Sequence, residues 1–337
     1  MSKVDIPGIF RELLKIDNLN NNIVGVGQGH KYVRGENTGK KVLTILVKKK
    51  YCISDLQRNT IVPKTMDSIA TDIIEVGEIT LLQDRVTFNR PAQPGMSLGH
   101  YKISAGTFGA VVKDKSTGEL LLLSNNHVLA NITNGNDARA QIGDPIIQPG
   151  LYDGGNLENS TLAHLVRFVP LYSARGSSRC KIAQTFEMLL NKCIRIFQPK
   201  YQVQVLRESE KFNLVDCAVA KPVNPEDINA EILEIGVVAG VKEAALGLPI
   251  KKSGRTTGIT SNQVLATNIT IKISMHSQNY GIFTDQILAG PMSMPGDSGS
   301  LVLTNDNYAV GLLFAGSEQA TIFNKIDYVL DKLDVSF

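Results

Sequence analysis

Near the end of the chain, Met294-Pro295-Gly296-Asp297-Ser298-Gly299-Ser300 sets a serine between two glycines and directly after an aspartate. A serine hydroxyl attacks a carbonyl only when a base takes its proton, and the oxyanion it creates needs N–H donors aimed at it. A tight turn flanked by glycines can present both. The same run also suits an ordinary surface turn, so its partners must decide. The chain has five histidines, and His127 stands at a sharp change from the apolar Leu120-Leu121-Leu122-Leu123 to the polar Ser124-Asn125-Asn126, followed by Val128-Leu129-Ala130. His30 and His100 lie among glycines, His164 alternates with apolar residues as on a half-exposed strand, and His276 sits beside Ser277 and Gln278; these four read as solvated or locally satisfied. Between His127 and Ser298, the apolar run Phe212 to Ala220 carries one carboxylate, Asp216. An ionised carboxylate in such a run is costly unless paired, which makes it the acid that orients a histidine or else a local ion pair or strand-end cap.

The order His127, Asp216, Ser298 is that of the chymotrypsin architecture, whereas other folds that assemble this triad run differently. The chain resembles the trypsin-like, chymotrypsin-fold serine peptidases at four places. These are Ser124 to Ala130, Val215 to Ala220, Gly296 to Ser300, and the substrate-bordering strand Gly311-Leu312-Leu313-Phe314-Ala315-Gly316-Ser317. Gly254-Arg255-Thr256-Thr257-Gly258 is similar to an element of an intracellular branch found in bacteria and, as the narrow-leaf proteins, in plants. The resemblance covers roughly residues 90 to 337. It implies a peptide or protein substrate, His127 as general base, Asp216 orienting it, Ser298 as nucleophile, and the N–H groups of Gly296 and Ser298 as oxyanion hole. It also implies a specificity pocket at Met292, six residues before the nucleophile, bordered by Phe314, Ala315 and Gly316. Without an acidic residue at 292, a modest apolar side chain before the scissile bond is expected.

The elements that must position these residues read as mainly β. The expected fold is a chymotrypsin-like double six-stranded β-barrel with an inserted helix and a C-terminal helix, preceded by a small α/β domain. Residues 1–85 form that first domain, 86–99 a linker marked by Arg90-Pro91 and Pro94-Gly95, and 100–337 the peptidase domain with a helical insertion at 176–209. In the first domain a helix is expected over Ile9 to Ile16, strands over Ile23 to Val33, Lys41 to Lys49 and Asp72 to Gly77, and a helix over Ser54 to Asn59. Ile23-Val24-Gly25-Val26 resembles the N-terminus that secreted zymogens free to pair with the aspartate before the nucleophile, but Asn22 precedes it, so it reads as a strand. Asp297 must then find another partner. In the barrels, strands are expected over Gly106 to Lys113, Leu120 to Leu123, Leu162 to Val169, Gln263 to Met275 and Phe283 to Leu288. Ala183 to Phe197 has helical spacing and reads as a packing appendage, or as a lid or oligomer contact. Arg255 reads as a functional anion contact or, more commonly for such a turn, as a tie that holds the loop through backbone carbonyls.

Composition sets limits. The chain has 337 residues, 43% hydrophobic, enough for two domains and a globular core. Its 35 basic against 32 acidic residues leave +3, too little to imply nucleic-acid binding. No metal-ligand spacing of Cys or His and no cofactor motif is present. The four cysteines, Cys52, Cys180, Cys193 and Cys217, form no dense framework, although a Cys180–Cys193 pair is left open. The start lacks the apolar stretch of a signal peptide, and no apolar run approaches the ~20 residues of a membrane span. A cytoplasmic serine endopeptidase is expected, free of metal, membrane and nucleic acid, with a protein activator or homo-oligomer as the expected means of regulation. The competing function is a catalytically silent protease-fold binding scaffold; an esterase would use the same nucleophile.

Overall fold

The structure, a computed structural model, describes residues 4–16, 22–33, 36–56, 61–77, 79, 84–177, 180–208, 211–275 and 279–337. The chain divides into two units, Met1–Gln83 and Asp84–Phe337.

In the first unit, helix α1 (Ile6–Ile16) starts on Asp5, whose carboxylate accepts the Gly8 N–H at 3.1 Å, with Pro7 in the first turn. Its Ile9 and Leu13, four apart on one face, pack with Leu43, Ile45, Val47 and Met66. Strands β1 (Ile23–Val33), β2 (Glu36–Val47), β3 (Thr65–Met66) and β4 (Ile69–Glu75) form a sheet in the order β1-β2-β4-β3, with β2 and β4 parallel. The tetrapeptide at Ile23 is therefore strand. Of the helix expected over Ser54 to Asn59, the structure shows a single 3₁₀ turn at Ile53–Asp55, and residues 57–60 lie outside the described residues.

The second unit is mainly β and bears out the expected fold class. Its first barrel runs through β5 (Ser97–His100), β6 (Gly106–Thr107), β7 (Ala110–Asp114), β8 (Leu120–Ser124), helix α2 (Asn126–Leu129), β9 (Pro145–Ile147) and β10 (Thr161–Phe168). An excursion of β11 (Arg175–Ser177), helix α3 (Lys181–Phe197) and β12 (Leu206–Glu208) precedes β13 (Ala218–Pro222). The ladder order is β7-β8-β13-β10-β9-β5-β6, and Phe108-Gly109 joins β6 to β7, so the six-stranded ring closes through the chain itself. The second barrel follows with β14 (Gly240–Val241), β15 (Pro249–Gly254), β16 (Gly258–Ser274), β17 (Tyr280–Ala289), β18 (Leu301–Thr304), β19 (Tyr308–Gly316) and β20 (Thr321–Lys325). Here β19 pairs with both β18 and β20, closing six strands, with β14 added outside. Helix α4 (Ile326–Leu333) leads to β21 (Val335–Ser336), which returns to pair with β7 of the first barrel.

The unbroken apolar run at Leu120 to Leu123 is explained by burial on both faces. Leu122 points into the first barrel with Leu98, Phe108 and Leu165, while Leu121 and Leu123 face a second cluster shared with Leu301, Leu312 and α4. Each such leucine contributes about 2 kcal/mol by leaving water. Helix α4, the expected C-terminal helix, buries Ile326, Val329, Leu330 and Leu333, an apolar stripe at helical spacing.

Two expectations need correction. Residues 86–99 are not a linker: Ala92 bridges to Ile228, Met96 and Leu98 are buried, and β5 begins at Ser97. Their Pro and Gly content signals turns, but the apolar residues between them are core. Helix α3 forms where its spacing predicts, yet none of its residues is buried, and Phe186 is 60% exposed. Among the described residues no disulfide forms, so Cys180 and Cys193 are not a pair.

Candidate active site

Strand β8 delivers the chain to His127 at the start of α2. Asn125, at the helix N-cap position, makes no capping bond; its amide instead donates to the Asp216 carbonyl at 2.8 Å. Asn126 donates to the carbonyls of Thr133 and Val169, pinning the far side of the turn. Asp216 precedes β13 and is held from both barrels, its N–H donating to Asn324 Oδ1 at 3.0 Å. Asn324 in turn donates to Gln286, and Gln286 to the Leu214 carbonyl, so a buried chain of amides fixes the backbone on either side of the carboxylate.

The Asp216 carboxylate accepts the His127 N–H at 3.2 Å through Oδ1 and meets His127 Nδ1 at 2.5 Å through Oδ2. A carboxylate on Nδ1 requires the proton on that nitrogen, so in the neutral ring the lone pair is on Nε2. Asp216 is 4% exposed and the imidazole 25%, a buried acid behind an accessible base. The predicted His127 and Asp216 are thus brought together.

Ser298 is half-buried in a turn between β17 and β18. Gly296 and Gly299 take φ of +99° and +96°, left-handed conformations that favour glycine, and a side chain at Gly299 would run into the Thr107 carbonyl and Ser124. Thr107 grips this turn from the first barrel: its N–H donates to the Ser298 carbonyl at 2.8 Å and its hydroxyl to the Gly296 carbonyl at 2.9 Å. A side chain at Gly106 would meet both Val128, next to His127, and the Ser298 carbonyl, so histidine and serine share one wall. The N–H groups of Asp297, Gly299 and Ser300 are used internally, donating to Met294, Leu313 and Asp297. Among the described residues, the N–H groups of Gly296 and Ser298 donate to no protein acceptor. The Ser298 hydroxyl rests 3.4 Å from the Phe314 carbonyl, a long contact that is readily given up.

Asp297 faces away from the turn's open side and is fully buried. Its carboxylate accepts the N–H groups of Thr256, Thr257 and Met294, the Thr257 hydroxyl, and the Lys252 ammonium at 3.2 Å. Glycine-rich 254–258 is therefore the cradle of this aspartate, and a side chain at Gly254 would collide with it. Arg255 contacts an anion of the chain itself. Its guanidinium forks onto Asp153 rather than onto backbone carbonyls, with Nε at 2.8 Å from Oδ2. Burial works against the Asp153 charge, but the bonds from Arg255 and Ser97 outweigh it and hold the carboxyl below its ordinary range.

Around the expected pocket, Met292 is buried in the second-barrel core with Val264, Ile287 and Phe323, and Phe314 packs on Phe283 with ring centroids 4.7 Å apart. Ala315 is half-buried and Gly316 exposed. Thr321 links these residues, its hydroxyl accepting the Met292 N–H at 3.1 Å and lying 2.9 Å from Ser293 Oγ. Beside Gly316 stands half-buried Ser293, whose hydroxyl meets that of fully buried Thr321, a pair that neither spacing nor hydropathy singles out. A separate cleft of about 150 Å³ is lined by Ile132, Asp137, Arg139, Leu171 and Met275.

The other histidines stand apart. His100 is fully buried, accepting the Lys102 N–H on Nδ1 and bonding Asp144 through Nε2 at 3.0 Å; His30 and His164 are exposed, and His276 lies outside the described residues. Among the described residues no group of three or more His, Cys, Asp or Glu could hold a metal, and no helix is long and apolar enough to cross a membrane.

No protein-family model matches the chain, and no curated protein matches it in sequence. Among solved structures, it is similar to the Nocardiopsis protease NAPase, at 16% identity and a TM-score of 0.45 over 73% of this chain and 98% of that one. It is also similar to Thermobifida fusca protease A, at 15% identity and 0.46 over 73% and 98%. A Cellulomonas bogoriensis chymotrypsin matches at 17% identity and 0.43 over 72% and 96%.

Proposed function

We propose that the protein is a serine endopeptidase in which Ser298, His127 and Asp216 form the triad. The observation that carries this reading is the coupling of the two halves: an accessible imidazole with Nδ1 committed to a buried carboxylate, beside a serine turn with two undonated N–H groups. In this mechanism His127 Nε2 takes the Ser298 proton as Oγ bonds to the peptide carbonyl carbon. The resulting oxyanion receives the N–H groups of Gly296 and Ser298. His127 then returns its proton to the amine as the C–N bond breaks, leaving an acyl-enzyme. A water, deprotonated by the same Nε2, releases the acid and restores the hydroxyl. Asp216 holds the tautomer and stabilises the transient imidazolium.

The substrate in this reading is a protein or peptide, with a modest apolar side chain seated near Gly316, and the cysteine-sparse composition supports a cytoplasmic setting. Residues 1–85 are assigned a regulatory or recognition role, with a partner or oligomer as the controlling agent. The scaffold reading draws on one observation, the Ser298 hydroxyl resting on the Phe314 carbonyl rather than on His127. A fluorophosphonate probe separates the two, because it reacts only with an activated serine. Labelling that disappears in Ser298→Ala and His127→Ala supports the enzyme; folded wild-type protein that resists the probe supports the scaffold.

A further inference from the structure

Strand β15 carries Lys251 and Lys252 side by side, and the second is completely buried. An ammonium withdrawn from water is tolerated only when it is paired and its donors are used. Lys252 has three donors and three acceptors: Asp297 Oδ2 at 3.2 Å, the Gly258 carbonyl at 3.0 Å and the Thr257 hydroxyl. That hydroxyl donates its own hydrogen bond to Asp297 Oδ2, so ammonium, threonine and carboxylate form a closed circuit. Asp297 stands between Gly296 and Ser298, the two residues whose N–H groups remain undonated. Its remaining partners, Thr256, Thr257 and Met294, belong to the same barrel of the same chain.

We propose that Lys252 is the positioning residue of the nucleophile turn: its ion pair with Asp297 holds the Gly296 and Ser298 N–H groups outward in the intact chain, with no freed amino terminus and no second chain required. This rests on the serine-nucleophile reading. Burial draws the Lys252 pKa below its ordinary 10.5, Asp297 opposes that shift, and Arg85 adds to it. The ammonium therefore loses its proton before an ordinary lysine does, and the turn is released on the alkaline side.

The test compares full-length wild type, Lys252→Met, Lys252→Arg and Lys252→Met/Asp297→Asn by fluorophosphonate labelling against pH, near-UV circular dichroism, and amide exchange at Thr256 and Thr257. Folded Lys252→Met is expected to label about 100-fold more slowly, the scale of losing an oxyanion donor, with faster exchange at both threonines. Lys252→Arg, whose charge persists to higher pH, is expected to keep most of the labelling and move the alkaline limb upward. If the buried unpaired carboxylate prevents Lys252→Met from folding, the double variant, which leaves no lone charge, is expected to fold and still label slowly. Labelling at the wild-type rate by either methionine variant, with exchange unchanged, overturns the proposal. A wild type that never labels, with faster threonine exchange in Lys252→Met, overturns the nucleophile reading and leaves the turn-holding role supported.

Discussion

The two barrels hold their shares of the site in different ways. In the first, His127 and Asp216 are fixed by neutral groups: the amides of Asn125, Asn324 and Gln286 and the backbone N–H of His127. In the second, the serine turn is fixed by buried charge, with Lys252 on Asp297 and Arg255 on Asp153. The difference follows from what each half must do. An imidazole committed to one carboxylate is best surrounded by dipoles, which orient the pair without adding a second charge. A turn that leaves two of its N–H groups unused keeps its other backbone bonds, and a desolvated ion pair adds to the rigidity they give.

Breaking the neutral side should have the largest effect. Asp216→Asn preserves shape but removes the acceptor that fixes the imidazole tautomer, and peptidase turnover or probe labelling is expected to fall about 10⁴-fold with little change in unfolding midpoint. On the charged side, Arg255→Met leaves Asp153 buried without its partner and is expected to cost about 3 kcal/mol in urea unfolding. That loss has a defined pH dependence. Because the folded-state pKa of Asp153 lies below its ordinary 3.8, its contribution is full above that value and fades as pH falls through the folded pKa. The stability gap between wild type and Arg255→Met should therefore close in acid; a gap that persists there would remove the charge from the explanation. The smallest effect belongs outside both barrels. Phe186→Ser on exposed α3 should change stability by no more than about 0.5 kcal/mol, and a larger drop would show that the helix is covered in solution.

What was legible in the sequence depended on the range of the interaction. Alternation and helical spacing located β1, β10 and α3 to within a few residues, because these patterns are local. Triad candidates were legible because each sits at a break in composition, and their chain order tied them together. Lys252 was not. In Ile250-Lys251-Lys252-Ser253 it reads as one of two solvated lysines, and only Asp297, distant in sequence, explains its burial. The same distance hid the Arg255–Asp153 pair and made buried Ala92, Met96 and Leu98 look like linker. In α3 the local pattern was right and its usual consequence was not, since an apolar stripe predicts a helix without supplying a surface for it to pack on.

Strand β21 is only two residues long, yet it leaves the second barrel, crosses to β7 and buries Val335 completely. It sits in the cluster where Leu121, Leu123 and Val219 of one barrel meet Leu301 and Leu312 of the other. Strand β21 thus works as a buckle: its pairing with β7 ties α4 and the second barrel to the first, so the second unit should melt in one cooperative step.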